Sequence, residues 1–246
     1  MIFLRSLIFN IFFWLWTAGF LILCLPFLLA RPIVIYWIGH IWARVSLWAL
    51  RWICGLGHEI RGREHLPNGP FIAACKHQSA WDTLILALLA RQPAVVLKRE
   101  LLRIPIFGWF LARAAMVPID RSAGMSALKS MLSEAKDRAA EGRAIVIYPE
   151  GTRTAPGEKR PYHPGVFALY KDLNLPLIPM ALNSGLFWGR KSFLKKPGKI
   201  LIEILPALAN GLPRKEFQKQ LEEQIEEATA RLVAEAKRDN PKLFQP

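Results

Sequence analysis

The sequence predicts an α/β protein: a mixed, largely parallel sheet flanked by helices, preceded by an N-terminal hydrophobic helical membrane anchor. Three observations predict it. From about Glu59 onward, short Val/Ile-rich runs alternate with segments of helical periodicity, the pattern that strand–helix–strand units produce. Those runs are continuously apolar, as strands are when helices bury both their faces. Before Glu59 the chain is apolar almost throughout and holds no acidic residue. A chain of 246 residues suffices for one sizeable folded domain. Residues 1–58 are therefore expected to form the anchor and residues 59–246 the domain.

The elements follow in chain order. Ser6 to Ala30 carries no charge and is bracketed by Arg5 and Arg31. As a helix it would reach roughly 37 Å, enough to cross a hydrocarbon core of ~30 Å with some tilt. Its apolar run is longer than the ~7–15 residues of a secretory signal, and "FLLARP" offers no clean small-x-small cleavage site. The next block, Pro32 to Leu56, carries Arg44 and Arg51 among Trp37, Trp42, Trp48 and Trp52. Arginine at mid-bilayer costs about 2.5–3.5 kcal/mol, whereas Trp and Arg are both at ease near headgroups. This block reads as an interfacial or half-buried helix, and the pair of blocks could form a re-entrant hairpin. "RGREHLPNG" (61–69) reads as a turn-rich linker. Candidate strands are 71–75, 94–98, 115–120, 144–149, 176–182 and 200–205. Candidate helices fill the gaps, such as 122–140, where Met125, Leu128, Met131, Leu132 and Ala135 recur at helical spacing. The segment 214–239 is an amphipathic helix behind Pro213, with Phe217, Leu221, Ile225, Leu232 and Val233 on one stripe.

The chain's 33 Lys+Arg against 19 Asp+Glu give a net charge of +14. Such a surface suits nucleic acid, an anionic lipid surface or an anionic small substrate. The apolar N-terminus favours lipid, and no nucleic-acid signature is present. Cys24, Cys54 and Cys75 form no CxxC pair, so neither a disulfide framework nor a zinc site is expected.

Four stretches could carry chemistry. In "HQSAWD", His77 closes a strand and Asp82 opens a helix, and ligands bind beyond the carboxyl ends of such strands. On a helix, positions five apart are about 140° apart, so the two side chains meet only if the chain turns between them. Asp82 could then orient one imidazole nitrogen while the other takes a hydroxyl proton. By spacing alone the stretch also fits a satisfied polar loop. "YPEGTR" (148–153) follows another strand. Gly151 permits close backbone approach, Thr152 adds a hydroxyl, and Arg153 suits a phosphate or carboxylate. Glu150 could pair with Arg153 or position a substrate hydroxyl, and the stretch could equally be a surface turn. Lys98, Arg99 and Arg103 offer cations beside the apolar, turn-containing Pro105–Gly108–Trp109 segment, and Arg121 follows another strand end. Pro179, in "LPLIPMALNSG", is expected to interrupt its strand and shape a pocket wall. His40, His58 and His65 read as structural or solvated.

In this order, these stretches resemble the blocks of the lysophosphatidic acid acyltransferase family of glycerolipid acyltransferases. "HQSAWD" looks like its H-x4-D block and "KRELLRIPIFGW" its K-x-E-L-x-x-x-P-x-x-G-W block. "YPEGTRT" looks like its F-P-E-G-T-R-S block, with Tyr148 for Phe and Thr154 for Ser, and "PLIPMAL" its proline-containing block. The resemblance covers roughly residues 60–210 plus the anchor. It implies the glycerolipid acyltransferase fold, with His77 as general base and Asp82 as its orienter. It implies Glu150, Gly151, Thr152 and Arg153 as the acceptor's phosphate and glycerol site, assisted by Lys98, Arg99 and Arg121. Pro179 would border the acyl-donor site. The implied reaction moves an acyl group from acyl-CoA or acyl-carrier protein to the 2-hydroxyl of 1-acyl-glycerol-3-phosphate, with no metal or prosthetic group. The implied place is the cytoplasmic face of the inner membrane. Alternatives are another lysolipid acceptor, a non-catalytic binder of anionic lipid, and a variant chemistry with Cys75 as nucleophile beside His77.

Overall fold

A computed structural model describes residues 1–90, 92–120 and 123–244. Its first element, α1 (Ile2–Leu23), is apolar on every side, and a 3-10 turn over Leu25–Leu29 reverses the chain into α2 (Pro32–Cys54). Both helices are long and apolar enough to cross a membrane. They differ in how they are used. Phe9 and Ser6 alone are buried along α1, whereas α2 buries Ile35, Ile38, Ala43, Leu47, Leu50 and Cys54 against the rest of the fold. Trp37, Ile41, Trp48 and Trp52 remain exposed along α2, so one side of it packs on the fold and the other is open. Gly55, at a left-handed φ of 66°, ends it.

The described strands form one seven-stranded sheet. They are β1 (Leu56–Arg61), β2 (Ile72–Cys75), β3 (Ala94–Lys98), β4 (Val117–Ile119), β5 (Ile145–Ile147), β6 (Leu177–Leu182) and β7 (Gly198–Ile204). Their order is β1-β7-β6-β2-β5-β3-β4, and every neighbouring pair is parallel except β6 with β7. Helices α3 (Trp81–Leu89), α4 (Phe107–Arg113), α5 (Gly124–Ala140), α6 (Pro164–Leu173), α7 (Arg214–Asp239) and α8 (Pro241–Phe244) complete the chain. β2 shows how the sheet is sandwiched. Ala73 and Cys75 face a core shared with Leu47, Leu50, Trp81 and Leu84, while Ile72 and Ala74 face Met131, Leu169, Phe217 and Ile225. The mixed, largely parallel sheet flanked by helices is thus present.

Two details differ from the sequence-based expectation. The strand β1 was not anticipated, and it runs across the expected anchor–domain boundary at 58 and into the expected linker. Its Gly57, His58, Glu59 and Arg61 mute the apolar signal, because it is an edge strand held by β7 alone. Pro179 does not interrupt its strand. The β7 ladder begins at Met180, so the missing N–H falls where that ladder ends, and the Pro179 carbonyl accepts from Leu205 N at 3.0 Å.

Candidate active site

The turn between β2 and α3 brings His77 and Asp82 together. Asp82 sits in the first turn of α3, and its Oδ2 accepts from Gln78 N (2.7 Å), Ser79 N (2.8 Å) and His77 Nδ1 (2.9 Å). Its Oδ1 accepts from Ser184 Oγ at 2.6 Å. The carboxylate is wholly buried, and His77 is 12% exposed. An imidazole held this way donates Nδ1–H to the acid and turns Nε2 outward. The backbone is pinned as well: Thr154 N donates to His77 O at 2.8 Å, and His77 N donates to Glu150 Oε2 at 3.3 Å. Tyr148 lies flat under the ring, with centroids 3.9 Å apart and planes 19° from parallel.

His77 lines a cavity of about 990 Å³. Its apolar walls include Ile35, Tyr36 and Trp42 of α2, Val96 of β3, Leu111 of α4 and Met131 of α5. Its polar end holds Gly151, Thr152, Arg153, His163 and Arg190, with Lys98 at the end of β3. Gly151 takes a left-handed φ of 65° and closes the turn by donating to Tyr148 O at 2.8 Å. One wall therefore suits a greasy chain and one end suits an anion.

Of the residues expected at the site, His77, Lys98, Gly151, Thr152 and Arg153 meet at this cavity, with Asp82 directly behind His77. Three do not. Glu150 is buried, and its Oε1 accepts from Lys76 Nζ at 2.7 Å, so it neither pairs with Arg153 nor faces the cavity. Arg99 is exposed at the start of a 3-10 turn (Arg99–Arg103) and is not among the lining residues. Pro179 is buried mid-sheet. Arg121 lies outside the described residues.

Sequence reading missed several partners. Ser184, in the quoted "LNSG", supports Asp82 across 102 positions. Lys76 lies between Glu150 and Glu226 of α7, 2.5 Å from the latter, and Tyr162 OH donates to Glu226 at 3.0 Å. A lysine one place before a candidate base was the available signal for that network. Cys75 is buried and donates to Lys76 O at 3.2 Å. Burial, reinforced by Asp82 and Glu150, pushes its thiol well above the ordinary range, the reverse of what a nucleophilic cysteine needs.

Comparison with known proteins gives this geometry a context. Over 167 residues the chain is 38% identical to a 1-acyl-sn-glycerol-3-phosphate acyltransferase of Pseudomonas aeruginosa, covering 68% of this chain and 65% of that protein. It is 30% identical over 167 residues to one from Cocos nucifera, covering 67% of this chain and 54% of that protein. These matches thus span less than two thirds of those relatives' own length. The crystal structure of a 1-acyl-sn-glycerophosphate (LPA) acyltransferase from Thermotoga maritima has the same fold. Its TM-score is 0.78 at 20% identity, over 95% of this chain and 98% of that one. Residues 57–183 match the model of the family described as acyltransferase. That span runs from β1 through β6 and contains both the His77–Asp82 pair and the Arg153 turn, and on it the chain belongs to the acyltransferase family.

Proposed function

We propose that the chain transfers an acyl group from a thioester, acyl-CoA or acyl-carrier protein, to the 2-hydroxyl of 1-acyl-glycerol-3-phosphate, giving phosphatidic acid. The observation that carries this reading is the His77 ring, backed by a buried and fully engaged Asp82, at the edge of a cavity that is apolar along its walls and cationic at one end. The names of the relatives support the choice of acceptor.

The step balances as follows. The acceptor's 2-hydroxyl oxygen attacks the thioester carbon as its proton passes to His77 Nε2. The tetrahedral intermediate collapses, the C–S bond breaks, and the departing thiolate recovers the proton from the imidazolium. A thioester is already activated, so the step calls for no covalent enzyme intermediate, metal or prosthetic group. Asp82 keeps Nδ1 protonated and stabilises the transient imidazolium. Proton transfer of this kind contributes ~10²–10⁴-fold. Arg153 holds the acceptor's phosphate, assisted by Lys98, while Glu150 acts beneath the site by fixing the His77 backbone. The helical hairpin α1–α2 holds the cavity at the cytoplasmic face of the inner membrane, where acceptor and product reside.

The test is an assay of the purified full chain with radiolabelled acyl-CoA and, separately, acyl-carrier protein, offered a panel of lysolipids. Phosphatidic acid from 1-acyl-glycerol-3-phosphate is the expected product. Faster turnover of a lysolipid lacking the phosphate monoester would contradict the proposed acceptor.

A further inference from the structure

The segment from Lys98 to Arg113 also presents an exposed apolar edge. Leu101, Ile104 and Trp109 are 36%, 43% and 53% exposed, although Gly108 and Phe110 in the same segment are buried. The edge is rigid. Gly108 N donates to Ile104 O at 2.7 Å, and a Cβ at Gly108 would come within 2.3 Å of Leu102 O, so the 3-10 turn is pressed flush against α4.

Two observations say what covers this edge. The first is continuity with the hairpin. Trp109 and Arg113 are one helical turn apart on the same face of α4. The Arg113 guanidinium donates to Leu28 O at 2.9 Å and also to Ala30 O, the carbonyls of the bend between α1 and α2. Trp109 therefore lies beside that bend, where Phe27, Leu29 and Ile33 are also exposed. The second is charge. Lys98, Arg99 and Arg103 are exposed in the same segment, against one acid, Glu100. An apolar edge with a tryptophan and flanking cations is what a headgroup–acyl boundary accommodates.

We infer that the Leu101–Trp109 edge inserts into an anionic lipid surface beside the hairpin, as a second membrane contact made by the sheet-bearing part of the fold. Leu101, Phe107 and Leu111 from this edge and Tyr36 and Trp42 from α2 line the same cavity. The inserted edge is thus also a wall of the cavity.

The test reads depth rather than activity, so it stands apart from the role of His77. Single-cysteine chains are made with the buried Cys24, Cys54 and Cys75 replaced by serine and with Trp109→Cys or Ile104→Cys. An environment-sensitive nitrobenzoxadiazole label is attached, and the full chain is reconstituted in phosphatidylglycerol–phosphatidylcholine vesicles. Glu223→Cys, exposed on α7, is the control. The labels at 109 and 104 are expected to brighten several-fold and shift to the blue. Lipids with a quencher in the upper acyl chain should quench them, and aqueous iodide should not, whereas the label at 223 stays open to iodide. Arg103→Gln should make insertion less dependent on phosphatidylglycerol. Labels at 109 and 104 that iodide reaches freely would overturn the inference. So would protection that appears without vesicles, whether on raising the protein concentration or on adding acyl-carrier protein, since the covering partner would then be a protein.

Discussion

Asp82 accepts hydrogen bonds from His77, Gln78, Ser79 and Ser184. An asparagine there would turn an amide toward at least one donor, so Asp82→Asn is expected to lower kcat on the order of 10²–10⁴-fold with little change in the acceptor KM. Arg153→Ala should act the other way round. A hydrogen bond to a charged group is worth about 1.5–3 kcal/mol, so the acceptor KM should rise roughly 10–150-fold while kcat changes less. An unchanged acceptor KM would remove Arg153 from the phosphate site. Lys76 offers a third case. Its ammonium is buried between Glu150 and Glu226, and breaking a buried pair costs about 3–5 kcal/mol. Denaturant unfolding of Lys76→Met should show a loss of that size, with part of it recovered by adding Glu226→Gln, because one carboxylate fewer is left unpaired. Histidine, aspartate and arginine were legible in the sequence because their chemistry is in their side chains. Ser184, Glu226 and the burial of Glu150 were not, because each depends on a contact between segments far apart in the sequence.

Among the elements, α1 and the 3-10 turn of the central block carry their own tests. The turn before α4 leaves no room at Gly108, so Gly108→Ala should separate it from α4 and disturb the cavity wall formed by Leu101 and Phe107. Faster proteolysis within residues 98–113 would report it. α1 is docked through Lys195, whose Nζ donates to Asn10 Oδ1 (2.5 Å) and Phe193 O (2.9 Å) and lies 5.0 Å from the Trp188 ring centroid. Burial lowers this ammonium to about 8, whereas in the unfolded chain a lysine titrates near ~10.4. Between these values the unfolded state binds more protons, so the buried-charge penalty present below pH 8 is relieved as pH rises. Relative to Lys195→Met, the intact chain should gain about 1–3 kcal/mol between pH 8 and 10.5, read from unfolding in detergent. Continuous apolar runs and helical periodicity made most elements legible, and 214–239 was read with the bounds that α7 has. β1 was not legible, because an edge strand half open to solvent lacks a continuous apolar run.

At the scale of the whole molecule, the sheet order explains why stretches far apart in the sequence form one site. β2 lies between β5 and β6, all three parallel. The loops that follow them, bearing His77, Arg153 and Ser184, therefore leave the same edge of the sheet, as the crevice rule for α/β sheets requires. The class of fold could be read from alternation, but the order of strands could not, since it depends on which faces the helices cover. The hairpin adds an apolar flank to that edge, and α2 supplies one wall of the cavity. The central claim is that His77 takes the proton of the acceptor's hydroxyl in this setting. Its most direct test is His77→Ala in the full chain, with single-turnover acyl transfer to 1-acyl-glycerol-3-phosphate measured beside binding of that lipid. The expected result is a fall in the chemical step on the order of 10²–10⁴-fold with lipid affinity retained. Acyl transfer at the original rate in His77→Ala would contradict it.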